Sequence, residues 1–390
     1  MRLAMGCSAV VAPLSGQRID TVSQAAVAQG ITHNQLLIRE GPWRVNVVAI
    51  DLRQPGLSVR AAHADDKLRG FETVSSIARR KTSDSAVVVV AINADFFSLT
   101  TGEDQNNQVI EGEIFKGLQI TDAPPDSAHR VHSQFAVGGD GRPFIGQFTF
   151  HGTVIRTSGA RIPLDAINYR ATRSSVVLYT ARDGATTPWD SAGTTVDIRL
   201  RFVAQHSDTS VYQVTSFPAE GGTSDLQSGP VLSWPIGNPD LPRPGETIRI
   251  QTNLRPAPLG LRTVIGGRPR LVVHGRSVAD SAVQTEGTMT QAFLGRNPRT
   301  GIGFSRDSAT LYLITVDGRQ PSSDGMSLAE FADFMIRIGV FEGLNLDGGG
   351  STAMVVNGVL VNTPSDKDKA GHFVERAVGN ALLVVKARHD

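Results

Sequence analysis

The chain has 390 residues, 40% hydrophobic and 19% charged, with a formal net charge of +1, enough to bury a large core. No block of like charge points to a nucleic-acid or membrane-surface partner, and no apolar run is long enough to span a bilayer. The single cysteine, Cys7, excludes an internal disulfide.

Residues 1–18 read as a leader. Met1–Ser8 is similar to the end of a lipoprotein signal, although the apolar stretch before Cys7 is short, so a truncated export signal and an ordinary start both stay open. A short helix is expected over Val22–Gln29, stopped by Gly30. Strands follow at Gln35–Arg39, Val45–Asp51 and Leu57–Ala62, then a helix over Phe71–Lys81 from the spacing of Phe71, Val74, Ile77 and Ala78. Val87–Ile92 is a β-branched run expected to be buried on both faces. His129 and His132 fall in a Pro-rich loop and read as loop residues. Short strands recur at Phe135–Val137, Phe144–Phe150, Ser175–Thr180 and Thr195–Phe202, and the Gly/Pro/Ser-rich Pro218–Pro244 reads as a linker. Ser327–Ile338 is the clearest helix, with Ser327 and Glu330 as a capping box and Gly339 as its stop. The fold class expected is α+β, β-rich mixed sheets with a few covering helices.

Chemistry concentrates at three strand ends, where sites are commonly built. Leu344-Asn345-Leu346 delivers Asp347 to Gly348-Gly349-Gly350-Ser351-Thr352, and a strand (Ala353–Val356) follows rather than a helix. That order excludes a P-loop or a Rossmann loop, each of which feeds a helix. The glycines could form a backbone nest for an anion, with Ser351 and Thr352 as donors, or only a tight loop. Leu311–Val316 similarly ends in Asp317-Gly318-Arg319. Asp317 and Asp347 could form the carboxylate pair of a glycoside hydrolase, or be unrelated Asp-Gly turns. Val87–Ile92 ends in Asn93-Ala94-Asp95-Phe96-Phe97, a pocket wall or a core cap, and Arg299 could reach the same face.

These residues resemble the phosphodiester glycosidase family. The resemblance rests on Ile92–Phe97, Gly266–Val272, Pro298–Gly303, Val316–Gln320, Gly325–Leu328, Asn345–Thr352, Pro364–Asp366, and Glu375-Arg376 through Asn380–Leu382. It implies a catalytic domain over 85–387, preceded by a β-rich accessory segment at 19–84 and the leader at 1–18. It also implies hydrolysis of a sugar 1-phosphodiester to sugar and phosphate monoester, in a secreted or cell-envelope protein. Catalysis would fall to Asp317 and Asp347. Substrate and phosphate contacts would fall to Asn93, Asp95, Arg299, Arg319, Gly348, Gly349, Gly350, Ser351, Thr352 and Arg376. No cofactor is expected; a divalent cation is possible but is not supported by a clear ligand cluster, and partners are a carbohydrate or glycosyl-phosphate substrate and no nucleic acid. The alternatives are a metal-assisted phosphodiesterase and a non-catalytic glycan-binding protein.

Overall fold

The computed structural model describes residues 19–388 except Glu40, 120–131, 170–174, Ser191, 218–222, 257–259, 282–284 and Thr288. The expected leader and His129 therefore lie outside the described residues. Strands make up 48% and helices 9% of the structure, so the protein is mostly β with a few helices. The named strands pair antiparallel except at Ala166–Ile167 with Val177–Tyr179, which makes the sheets less mixed than expected.

Two sheets make the body that carries the candidate site. The first, of eight strands, places Trp43–Asp51, Thr310–Val316, Arg299–Phe304 and Glu342–Asn345 side by side. The second, of five strands, has Ala86–Asn93 between Met354–Val356 and Asn380–Ala387. Alternation along the strands fills the layer between them: Leu311, Leu313, Ile302, Leu344 and Leu346 from the first sheet meet Val90, Ile92, Met354 and Leu382 from the second. The opposite residues, Tyr312, Ile314 and Val316, pack under the helix Leu328–Arg337 through Phe331 and Met335. That helix starts at the expected capping box, with Ser327 and Glu330 each accepting from the other's backbone N–H.

A third sheet, of five strands, is shared between two cores. Phe135 and Ile265 face the two-sheet body, while Ala136 and Val264 face a further eight-stranded sheet. Both faces of its middle strands are thereby buried.

Three expectations fail. Val22–Gln29 is not helical: Ile19–Ala28 is a strand paired to Ile31–Ile38. Its alanines suit a helix, but main-chain pairing to a neighbouring strand overrides that weak preference. The supposed linker contains Val231–Pro235, a strand hydrogen-bonded on both sides and anchored by the buried Trp234. Residues 19–84 are no appendage, because Trp43–Asp51 pairs with Thr310–Val316 and Leu57–His63 pairs with Asn380–Ala387.

Candidate active site

The register of the first sheet fixes the position of both aspartates. Arg299–Phe304 lies between two strands antiparallel to it, with Arg299 opposite Val316 and Gly301 opposite Asn345. Both neighbours therefore end where the central strand begins, and Asp317 and Asp347 emerge on either side of Pro298-Arg299. Leu346 N donates to Thr300 O at 2.9 Å, and Gly349 N donates to Pro298 O at 2.9 Å. Both aspartates lie toward the second sheet. Asp317 continues the side of the strand that carries Leu311 and Leu313, while Asp347 N donates to Ala94 O at 3.0 Å.

The two carboxylates nonetheless differ. Asp347 is half-buried and accepts from Gly348 N at 2.9 Å and from the Ser351 hydroxyl. Burial pushes it up to about 6, against those two hydrogen bonds and the charge of Arg376. Asp317 is only 3% exposed, and its carboxylate accepts from Thr363 N at 3.2 and 3.3 Å. Burial raises it also to about 6. Its geometry is that of a clamp on the 362–364 segment.

The triple glycine is not an open nest. Gly348 N bonds the Asp347 carboxylate, Gly349 N goes to Pro298 O, Ser351 N to Gly348 O and Thr352 N to Gly349 O. The loop is a 3₁₀ turn, Gly349–Ser351, with these four amides already paired. Glycine is required there for two different reasons. Gly349 has φ +60 and would place a Cβ 3.0 Å from Arg319 Nη2. Gly350 is covered by the Arg376–Asp366 ion pair, into which any Cβ would project.

Arg376 donates to both Asp366 oxygens, at 2.7 and 3.1 Å, and more weakly to Ser351 Oγ at 3.4 Å. Arg319 is exposed, has φ +58, and donates to Asn297 Oδ1 at 2.9 Å. Arg299 is 2% exposed and is spent on main-chain carbonyls, donating to Met326 O at 2.8 Å, Phe293 O at 2.7 Å and Gly295 O at 2.6 Å. It is lowered to about 10 by burial and then by the charge of Arg319. Among the described residues, neither Arg299 nor Arg319 is paired with a carboxylate.

Asn93 and Asp95 work from inside. Asn93 Nδ2 donates to Asp347 O at 2.6 Å, while its Oδ1 accepts from Thr300 Oγ1 and Ala353 N. Asp95 is 1% exposed and accepts from Asn106 N, Asn106 Nδ2 and Gln108 Nε2. Burial lifts it to about 7. Asn380 closes the ring, taking a hydrogen bond from Asp95 N and giving one to Gln108 Oε1.

Beyond it lies a buried pair that the sequence reading missed. His63 Nδ1 stands 3.0 Å from Asp104 Oδ2, with both side chains wholly buried. Burial, helped by the charges of Asp95, Glu103 and Asp347, raises Asp104 well above the carboxylate range. Burial and Lys116 lower His63 to about 3. The charge of Asp347 thus reaches this buried pair through Asp104. Asp366 and Asn297 were also missed as the partners that aim Arg376 and Arg319. Asp366 stood inside a matched stretch without a role. His132 lies outside the strands, as expected of a loop residue, but it is fully buried, its Nε2 3.0 Å from Arg268 Nη1. Among the described residues no three His, Cys, Asp or Glu side chains converge to hold a metal ion, and no helix is long and apolar enough to cross a membrane.

Fold and site together define a β-sheet protein with a carboxylate on a glycine turn, flanked by guanidinium groups. Residues 237–385 match the sequence model of the phosphodiester glycosidase family. The match holds Asp317, Asp347 and the arginines but not Asn93–Phe97, so the resemblance is confirmed over a shorter span than 85–387. The chain is 44% identical over 68 residues to N-acetylglucosamine-1-phosphodiester alpha-N-acetylglucosaminidase of Bos taurus, and equally so to that of Homo sapiens. Those alignments cover 17% of this chain and only 12% and 13% of the relatives' lengths. The fold as a whole is shared with a hypothetical protein from Synechocystis, at TM-score 0.70 and 22% identity over 95% of this chain and 64% of that one. It is also shared with a putative exported protein from Burkholderia pseudomallei, at TM-score 0.65 and 23% identity over 88% and 74%.

Proposed function

We propose that this protein hydrolyses the glycosidic bond of a sugar 1-phosphodiester, releasing the sugar and a phosphate monoester, with Asp347 at the anomeric carbon. One observation carries the reading. The turn that carries the half-buried Asp347 carboxylate lies against the guanidinium of Arg319, and the charge of Arg319 reaches a second guanidinium, Arg299, which among the described residues is in no ion pair with a carboxylate. An excess of fixed positive charge beside a carboxylate suits a substrate whose leaving group is anionic.

The chemistry follows from that leaving group. A phosphate monoester has a second pKa of about 6 and departs without the full protonation a sugar alcohol needs. The site therefore has to stabilise anionic charge on one side and oxocarbenium character on the other. Arg319, exposed and held by one amide, is the group that meets the phosphate. Arg376, fixed by Asp366 and Ser351, orients the turn that carries Asp347. Asp347 serves as nucleophile or as base for water. Asp317 keeps the 362–364 segment against the site, and Asn93 and Asp95 hold the strand end to which Asp347 is tied. The relatives' substrate makes an N-acetylglucosamine phosphodiester the first compound to try.

The test is turnover of alkyl N-acetylglucosamine 1-phosphate compared with a neutral aryl N-acetylglucosaminide. Faster hydrolysis of the phosphodiester is expected. Retained affinity for the glycan with no turnover of either compound would favour a binding protein instead.

A further inference from the structure

A second site lies away from Asp347. Two cavities, of about 330 and 690 Å³, both have Glu111 and Arg262 in their walls and so meet there as one groove. It runs from the strand Leu57–His63 to the hairpin formed by Thr195–His206 and Thr209–Ser216. None of the residues assigned to the Asp347 site lines it. The larger lobe falls within the 300–1,000 Å³ typical of small-ligand sites.

We infer that this groove binds a neutral glycan chain, independently of the hydrolytic site. Its wall carries an aromatic platform, Phe202 packed edge-to-face on Tyr212 with centroids 5.8 Å apart. A bulge between Phe202 and Ala204 leaves Phe202 52% exposed and its neighbour Val203 51% exposed. Arg262 is fixed by its main chain, which donates to Val137 O and accepts from Gly112 N, yet among the described residues its guanidinium has no partner. Glu111 and Asp208 supply acceptors along the same wall. An apolar ring face beside donors and acceptors matches a sugar, which offers C–H groups on its faces and hydroxyls around its rim.

Other ligand classes fit less well. The wall has more carboxylate than guanidinium, which disfavours a polyanion. The Tyr212 strand is hydrogen-bonded to strands on both sides, so a peptide finds no free edge to extend along it.

The test is calorimetric titration of the full chain with chitotetraose, maltotetraose and mannotetraose. Saturable binding of at least one is expected, weakened at least about tenfold by Phe202→Ala and by Arg262→Ala. Both side chains are exposed, so the fold should persist, and turnover of a small glycosyl phosphodiester should be unchanged in both. Binding should survive in Asp347→Asn, which separates this site from the hydrolytic one. Absence of saturable binding up to about 10 mM, indifference to both groove substitutions, or loss of binding in Asp347→Asn would each overturn the proposal.

Discussion

Arg319 donates to Asn297 Oδ1 at 2.9 Å, and that amide, rather than a carboxylate, holds its guanidinium beside the Asp347 turn. An amide orients a cation without neutralising it, so the full charge stays available to a phosphate. Arg319→Ala is expected to lower kcat/KM on a sugar phosphodiester by about a hundredfold, as loss of one positioned charge donor does. On a neutral aryl glycoside the loss should be far smaller. Parallel kinetics on the two substrates check this, and equal losses would mean that Arg319 serves only the structure.

Gly350→Ala places a methyl group where Arg376 grips Asp366. The pair cannot stay in place, and overpacking of this kind costs about 1–3 kcal/mol. The turn that carries Asp347 should shift with it, so kcat falls by at least about tenfold while the fold survives. An active variant with the ion pair intact would show that the turn tolerates a side chain.

Asp317→Asn separates clamp from catalyst. Burial raises the Asp317 carboxyl to about 6, above its unfolded value, so its contribution to stability is complete at acid pH. That contribution is lost as pH rises toward 6. The amide can still accept from Thr363 N but no longer titrates. The variant should therefore lose part of the fall in stability between about pH 4 and pH 7, measured by denaturant unfolding, and keep kcat within about threefold of wild type. A loss of kcat as deep as that of Asp347→Asn would make Asp317 a participant in the reaction.

The acid limb of the pH profile belongs to Asp347. As nucleophile or base it must be ionised, and burial has raised it to about 6. kcat/KM on a phosphodiester should rise with pH and level off above about 6. In Asp347→Asn, kcat should fall by at least about a hundredfold with little change in Tm. A normal kcat per folded molecule in that variant would return Asp347 to the role of a loop cap.

Much of the site was legible because strand ends advertise themselves. Val87–Ile92, Leu311–Val316 and Leu344–Leu346 are apolar runs that stop at Asp or Asn. The register then brings those ends together at Pro298-Arg299. The capping box at Ser327 was readable because it is local. What stayed hidden depends on partners far apart in the chain. Ile19–Ala28 is a strand only because Ile31–Ile38 pairs with it. His63 and Asp104 meet from separate strand and loop segments, in a cluster no local spacing announces. Arg299 looked like a phosphate ligand until its carbonyl partners, Met326, Phe293 and Gly295, were in place. The glycine turn was hard to read for a related reason: the amides of Gly348, Gly349, Ser351 and Thr352 find their acceptors on the Asp347 carboxylate, on Pro298 and within the turn.

Hydrolysis of a sugar 1-phosphodiester in ¹⁸O-labelled water, with the isotope content of the phosphate monoester read by mass spectrometry, reports which bond breaks. Attack at the anomeric carbon, beside Asp347, leaves the phosphate monoester unlabelled and puts the water oxygen on the sugar. Label in the phosphate would show cleavage between phosphorus and oxygen and would contradict the account.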